Sequence, residues 1–501
     1  GWAPTCMTRE PGKKPPKRWL LVARHDALPT YDPATPSAEV PPAPAPIGFV
    51  DEDDVGDDAS VVGVRATDDL TLDVELENPT PYFTDLTSST ALFPVRADVV
   101  EAFLARGQED LWTRPESMIS NGPFMLDTWR FRYEITMKPN PFYWNAKAIE
   151  LDRIVWAEVE DYHATLNLYK AGDIDQIGDN VSLPSELQPR LRPYKDYKND
   201  PILSVYWFEL NTRRPPLDDA RVRHALDLAI DKRQVVEKVT RGGQIPATHY
   251  VPDMTGLGYA DEVADERAHG GDPFAAPERQ FDPARARALL GEAGFPVVEE
   301  NGELRATGMP PLELLYNTSE GHKQIAVAVQ GMWKKNLGVS VTLRNEEWRV
   351  MLKNFRDGNF QIMRFGWVAA YNHPSSFLET FASGTPQNTT GWGSAAFDDA
   401  LHAAGREPDR AKSMKLYREA ERIAVDAMPR IPLYFYTKST LVKPWVRGHW
   451  GTPRNLHLYE YFWIDPDWAK GAPNAPAFAP FEPPPPGRLG APLDAGTPEP
   501  P

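Results

Sequence analysis

Apolar and polar positions follow one pattern before residue 204 and another after it. Residues 70–77 alternate between apolar and polar side chains, a period of two that predicts a strand with one buried face. Residues 61–66 precede this strand and predict its partner in a half-buried hairpin. Similar alternation at 133–138 and 154–159 makes the first ordered region β-rich.

Beyond residue 204, helical and strand patterns alternate along the chain. One helix has Asp218 as its predicted N-cap and a buried stripe at helical spacing. The stripe consists of Val222, Ala225, Leu226, Ala229 and Ile230. Another helix is framed by Asp282 as N-cap, Pro283 as first residue and Gly294 just past its end. The later elements are strands at 312–316, 339–343, 360–367 and 431–436 and helices at 325–337, 348–355, 397–406 and 413–427. This order predicts βαβ units and an α/β fold.

Composition narrows the possible functions. A chain of 501 residues predicts about three structural units. The net charge of -17 argues against a nucleic-acid-binding protein, so we expect no nucleic-acid partner. The single cysteine, Cys6, cannot form an internal disulfide. No apolar run is long enough for a membrane span, and Arg24 ends the run at 19–23 before it reaches signal-peptide length. Because the sequence begins with Gly1, we expect a fragment or a misplaced start.

A series of short motifs indicates a resemblance to a known protein family. In order they are SNGPF at 120–124, NPFYWN at 140–145, KAGDID at 170–175, NTRRPPLDDARVR at 211–223, LYNTS at 315–319, WKKNLGV at 333–339, YNHPSSF at 371–377 and LVKPW at 441–445. From about residue 60 to about residue 465 the sequence resembles the family 5 solute-binding proteins of peptide ABC transporters, in particular their oligopeptide-binding branch. Each motif is weak alone, and the specificity comes from their number and order.

The resemblance implies a two-lobed, type II periplasmic-binding-protein-like α/β fold that closes on its ligand by hinge motion. Little of the family's wording precedes residue 60, so we expect an incomplete first lobe with a remnant of the extra subdomain. The expected boundaries are 1–58 for a disordered or divergent segment, 59–94 for the β-rich subdomain remnant, 95–203 plus 438–465 for the first lobe, 204–437 for the second lobe, and 471–501 for a Pro-rich disordered tail.

The resemblance also implies a set of ligand-contacting residues. They are Trp207, Glu209, Asn317, His322, Trp348, Arg364, Gly366, Trp367, Asn388, Thr389 and Tyr436. Simpler interpretations stand beside this one. Trp348 and Trp367 can be core aromatics, His322 can cap or solvate a helix, and Arg364 can pair with a surface carboxylate.

One departure from the family pattern concerns the ligand's amino terminus. Ala370 stands where the oligopeptide receptors carry an aspartate that holds the ligand's α-ammonium group. Loss of that charge-assisted contact predicts weak binding of ordinary peptides and favours ligands that are N-blocked or modified. Asp398 or Asp399 is the alternative carboxylate that the sequence offers.

The predicted function is therefore that of the substrate-binding component of a peptide ABC importer. The alternatives are the same fold with a non-peptide solute, such as a metal complex, a sugar or an opine-like compound, and a truncated, non-functional remnant. No metalloprotease, nucleophile-elbow or phosphate-loop motif is present, so we expect no catalysis, no cofactor and no metal. The expected partners are an oligopeptide or related small ligand and an inner-membrane permease. We expect a monomer located in the periplasm or outside the cell, associated with the membrane.

Overall fold

The computed structural model describes residues 19–24 and 63–468, except 69–70, 77–79, 109–110, 160, 179–182 and 275–278. The predicted tail at 471–501 and most of the predicted N-terminal segment lie outside these residues. Within the described residues, no helix combines the length and the apolar character that a membrane span needs.

One large sheet organises the described part of the chain. In spatial order its strands are β13 (Val341–Glu346), β12 (Leu312–Asn317), β14 (Ile362–Val368), β8 (Tyr197–Leu210), β15 (Arg430–Val442), β7 (Gln176–Ile177), β1 (Trp19–Arg24), β6 (Arg153–Glu158), β5 (Glu134–Pro139) and β4 (Phe124–Arg130). The short strand β9 (Ile245–Pro246) pairs with β15 beside this path. The long strands β8 and β15 are antiparallel neighbours and run through the middle of the sheet. They connect the two halves of the molecule.

Strand β1 was not expected. It lies inside the segment that the sequence predicts to be disordered or divergent, yet it pairs in parallel with β6 on one side and β7 on the other. A run of apolar residues too short for a membrane span is typical of a strand with neighbours on both sides. Six residues of that segment therefore belong to the central sheet.

The βαβ prediction for the second half is confirmed. Strands β12 and β13 are parallel and flank the helix Glu320–Leu337, and β12 also pairs in parallel with β14. Before them lie the helices Ala220–Leu228, Lys232–Gln234, Tyr259–Ala268 and Pro283–Glu292, a π-helical turn at Val235–Thr240 and the hairpin strands β10 (Val297–Glu300) and β11 (Glu303–Ala306). After β13 come the helices Trp348–Arg356, Ser375–Leu378, Ala395–Arg406 and Arg410–Ala427.

The two faces of the sheet carry separate cores in this half. One core is built on Phe208, Leu226, Leu314 and Trp333, and the other on Trp207, Phe355, Phe377 and Tyr417. Asp219 rather than Asp218 caps the helix Ala220–Leu228, a shift of one residue that leaves its predicted stripe buried.

The first half has smaller cores. Phe124, Ile154 and Phe462 belong to one, and Tyr169, Leu191 and Leu441 to another. Its helices are Phe83–Leu86, Ala97–Leu104, Tyr162–Ala171 and Gln188–Leu191, and the short strands β16 (Val446–Arg447) and β17 (Trp463–Ile464) pair near its end. Gly172 ends the helix Tyr162–Ala171 in the left-handed conformation, at φ 82°.

The predicted hairpin forms, but its buried face does not. Strands β2 (Val64–Ala66) and β3 (Leu72–Val74) pair in antiparallel fashion. Leu72 is nevertheless 63% exposed and Val64 is 47% exposed. The alternating pattern thus predicted the strands correctly and their burial wrongly, because burial depends on what packs against the face.

Candidate ligand-binding site

Strand register places one group of predicted residues on a common face of the sheet. β14 runs antiparallel to β8, with Arg364 opposite Phe208 and Gly366 opposite Tyr206. Alternate residues of a strand point to the same side, so Arg364, Gly366 and Tyr206 share a face. On the other side of β8, Tyr434 of β15 is opposite Tyr206 and adds a further aromatic ring.

Arg364 is at the centre of this group. Its Nη1 donates a hydrogen bond of 3.3 Å to Oδ1 of Asn317, and its Nη2 donates one of 3.1 Å to the hydroxyl group of Tyr436. The guanidinium carbon lies 4.8 Å from the centre of the Tyr206 ring. Arg364 forms no salt bridge within the described part of the chain, and its buried Nε has no hydrogen-bond partner there. A positive charge is thus held by neutral groups alone.

The electrostatics of the group follow from that charge. Burial alone would lower the pKa of Arg364, but the hydroxyl groups of Tyr436, Tyr206 and Tyr434 raise it overall. Burial, and secondly the charge of Arg364, lowers the pKa of His322 to about 2. His322 is therefore a neutral imidazole at physiological pH. The site therefore has one permanent positive charge, on Arg364, next to the neutral imidazole of His322, which can donate one hydrogen bond and accept another.

Gly366 allows the backbones of β14 and β8 to approach each other closely beside Arg364. A Cβ atom at this position would lie 2.9 Å from the carbonyl oxygen of Val205 and 3.9 Å from the hydroxyl oxygen of Tyr436. Any larger residue would press on the backbone of the neighbouring strand, whereas its contact with the Tyr436 hydroxyl would be an ordinary one. The glycine thus serves close backbone approach.

Five of the predicted residues meet here. They are Asn317, His322, Arg364, Gly366 and Tyr436. Tyr206 and Tyr434 complete the group and were missed by sequence reasoning, although the alternation of aromatic residues at 206 and 208 and at 434 and 436 is a usable signal.

Trp207 and Glu209 lie on the opposite face, inside the protein. Their exposed fractions are 1% and 0%. The Trp207 indole donates to Glu209 over 2.8 Å, and Nε of Arg430 donates to the same carboxylate over 2.9 Å. These contacts place both residues in a buried network around Arg430, away from Arg364. Their predicted ligand contact stays a prediction.

The other predicted residues are dispersed. The side-chain amide of Asn388 donates to the carbonyl oxygens of Phe381, Ala382 and Trp392, which fixes a loop, and the buried Thr389 hydroxyl has no partner in the described residues. Trp348 is 40% exposed and stacks near Phe365 at 6.2 Å. The Trp367 indole donates to the carbonyl oxygen of Ser376 over 2.5 Å. The structure brings none of these four next to Arg364.

Ala370 lies just past the end of β14 and is exposed. Its backbone N–H donates to the Ser376 hydroxyl over 2.9 Å. The nearby carboxylate of Glu379 already accepts hydrogen bonds from Tyr371 over 3.2 Å and from Tyr82 over 3.5 Å. Asp398 accepts the backbone N–H of Ser383, so its carboxylate is engaged at the start of a helix.

Similarity to known proteins shows which family this chain belongs to. The model of the bacterial extracellular solute-binding proteins, family 5 Middle, matches residues 16–389. The chain belongs to this family.

Two family 5 members with solved structures have the same fold. The murein tripeptide-binding protein MppA of Escherichia coli superposes with a TM-score of 0.66 and 33% identity, over 80% of this chain and 74% of that structure. The OppA protein of Haemophilus influenzae, solved in complex with the peptide RPPGFSPFR, has a TM-score of 0.65 and 30% identity, over 80% and 75% of the two chains. The fold of the chain is thus the two-lobed fold of periplasmic peptide-binding proteins.

A curated family 5 relative is similar in sequence as well. The periplasmic oligopeptide-binding protein OppA of Salmonella typhimurium is 36% identical over 411 residues, which cover 80% of this chain and 70% of the relative. The relatives are named as binding proteins rather than as enzymes. The recognition of the family from short motifs is confirmed.

Proposed function

We propose that this chain is the substrate-binding component of a peptide ABC importer and captures oligopeptides between its two lobes. Family membership and the peptide-binding names of its relatives support this function. By the same relation we infer a periplasmic or extracellular location and an inner-membrane permease as partner. The membrane association and the monomeric state are expectations that we carry from the sequence.

The observation that carries the proposal is the charge of Arg364, which has no carboxylate partner in the described part of the chain. A half-buried guanidinium without a carboxylate partner stabilises a bound anion, because desolvation strengthens the attraction. The anion that every ordinary peptide offers is its terminal carboxylate. We propose that Arg364 binds this carboxylate, with Asn317, Tyr436 and neutral His322 providing the surrounding polar contacts.

The test compares peptides that differ only at the carboxyl terminus. We expect a tri- to pentapeptide acid to bind about 10- to 150-fold more tightly than its amide, which corresponds to about 1.5–3 kcal/mol for a hydrogen bond to a charged group. Arg364→Gln should remove most of this difference, whereas Arg356→Gln, an exposed arginine on a nearby helix, should preserve it. Isothermal titration calorimetry measures both. Equal affinity of acid and amide for the unchanged protein would refute the role of Arg364.

The amino terminus of the ligand is the second part of the proposal. Ala370 supplies no carboxylate, Asp398 accepts the backbone N–H of Ser383, and Glu379 is held by two tyrosine hydroxyl groups. Asp399, the other carboxylate that the sequence offers, is exposed on the helix Ala395–Arg406. We infer that the ligand is a peptide with a blocked or modified amino terminus.

Acetylation separates this inference from ordinary peptide binding. We expect an N-acetylated peptide to bind at least as tightly as its free form. Ala370→Asp should reverse the order and favour the free amine by about 1.5–3 kcal/mol. The measurement is the shift of the thermal unfolding midpoint with each peptide. A free peptide that binds the unchanged protein more tightly than its acetylated form would contradict the inference while leaving peptide binding intact.

A further inference from the structure

A cavity of about 500 Å³ lies away from the Arg364 site, beside strand β9. Three arginines line it, Arg192, Arg233 and Arg241, together with one acidic residue, Glu237. All three arginine side chains are exposed to solvent. In a chain with a net charge of -17, a cavity with this excess of positive charge is unusual.

Among the described residues, the three guanidinium groups have no acidic partner. Nη2 of Arg192 donates to the backbone carbonyl oxygen of Arg241 over 2.7 Å, and Nε of Arg241 donates to that of Lys238 over 3.0 Å. Neither acceptor carries a charge. None of the three arginines forms a salt bridge with any other described residue, Glu237 included.

The neighbouring cavity provides a contrast. It has a volume of about 610 Å³, also contains Arg233, and is lined by three further cationic side chains. Each of those three is neutralised: Lys232 by Asp227 at 2.7 Å, Arg267 by Asp253 at 2.7 Å and Arg279 by Asp426 at 2.6 Å. The cations of this neighbouring cavity other than Arg233 are thus each balanced by an acid. The first cavity lacks this balance.

The backbone supports a specific use of Arg241. This residue adopts the left-handed conformation at φ 55° and ψ 11°, at the end of the π-helical turn. That conformation favours glycine, and two glycines follow directly. An arginine in the strained position, with glycines available beside it, points to a role for its side chain.

We propose that this cavity is a binding site for a phosphate-type oxyanion. A guanidinium group can donate two parallel hydrogen bonds to phosphate oxygens. Three guanidinium groups together carry more positive charge than a single carboxylate would balance. Arg192 follows Leu191 of a core in the first half, whereas Arg233 and Arg241 flank Val235 and Val236 of a core in the second half. A bound oxyanion would therefore bridge the two halves of the molecule next to the strands that connect them.

The probes are sodium pyrophosphate in solution and vesicles that contain 30% phosphatidylglycerol, which separate a free anion from a lipid headgroup. We expect one of them to bind the unchanged protein, by calorimetry or by co-sedimentation, with an affinity that falls as salt concentration rises. The double variant Arg192→Gln/Arg233→Gln should weaken that binding at least tenfold. Arg190→Gln removes one positive charge two residues before Arg192, outside the cavity, and should change that binding less than twofold.

Two results would overturn the proposal. One is that neither probe binds the unchanged protein, and the other is that Arg190→Gln weakens binding as much as the double variant. Peptide binding is measured on every variant in parallel. Because the double variant leaves Arg364 untouched, retained peptide binding shows that it is folded and separates this test from that of the proposed function.

Discussion

At the scale of single residues, the buried ion pair of Glu209 and Arg430 allows a stability prediction. The exposed fractions of the two side chains are 0% and 1%, and Arg430 also donates to the hydroxyl and carbonyl oxygens of Thr380 over 2.6 and 2.9 Å. Glu209→Gln would leave the guanidinium charge buried without a counter-ion. We expect a loss of about 3–5 kcal/mol in the free energy of unfolding, measured by urea denaturation.

An exposed pair serves as the control for that measurement. Arg65 and Glu75 form a salt bridge of 3.2 Å with side chains that are 72% and 78% exposed. Glu75→Gln should change stability by less than about 1 kcal/mol. If Glu209→Gln instead weakens peptide binding and leaves stability unchanged, Glu209 contacts the ligand as the family resemblance implies.

Residue-scale reasoning from the sequence succeeded where the local pattern determines the outcome. Asp282 accepts hydrogen bonds from the N–H groups of Ala284 and Arg285, as expected of an N-cap. Reasoning from the sequence was less informative about the ligand-binding site, because the alternation of side chains along a strand does not show which of its two faces meets the ligand. Trp207 and Glu209 are one position out of phase with Tyr206 and lie on the other side of the sheet.

At the scale of elements, strands and helices with strong periodicity were predicted to within a few residues. Helix Glu320–Leu337 includes the predicted span 325–337, and β14 matches the predicted strand at 360–367. Burial of the hairpin and the place of Trp19–Arg24 in the sheet could not be predicted in the same way. The place of Trp19–Arg24 depends on strands more than a hundred residues away, and the burial of the hairpin depends on what packs against its face, so a local pattern carries no information about either.

At the scale of the whole molecule, a contact joins two parts of the chain that the predicted boundaries assign to different units. The Tyr82 ring stacks on that of His373 at 4.1 Å and 17°, and its hydroxyl group donates to Glu379. Nearby, Arg454 donates to the Ser88 hydroxyl over 2.8 Å. The segment from Tyr82 to Ser88 is thereby held close to the end of β14, where Ala370 lies.

If the lobes separate when the ligand leaves, the Tyr82 contact exists only in the closed state and slows ligand release. An aromatic pair and a hydrogen bond each contribute about 0.5–1.5 kcal/mol, so Tyr82→Ala should accelerate peptide dissociation about 5- to 150-fold. Tyr82→Phe keeps the stack and should have a smaller effect. Phe142→Ala, at a side chain that is 88% exposed, should have none. Stopped-flow dissociation measures all three. The prediction fails if Tyr82→Ala lowers the stability of the ligand-free protein but leaves the rate of peptide release unchanged. The contact would then persist in the open protein and would not be specific to the closed state.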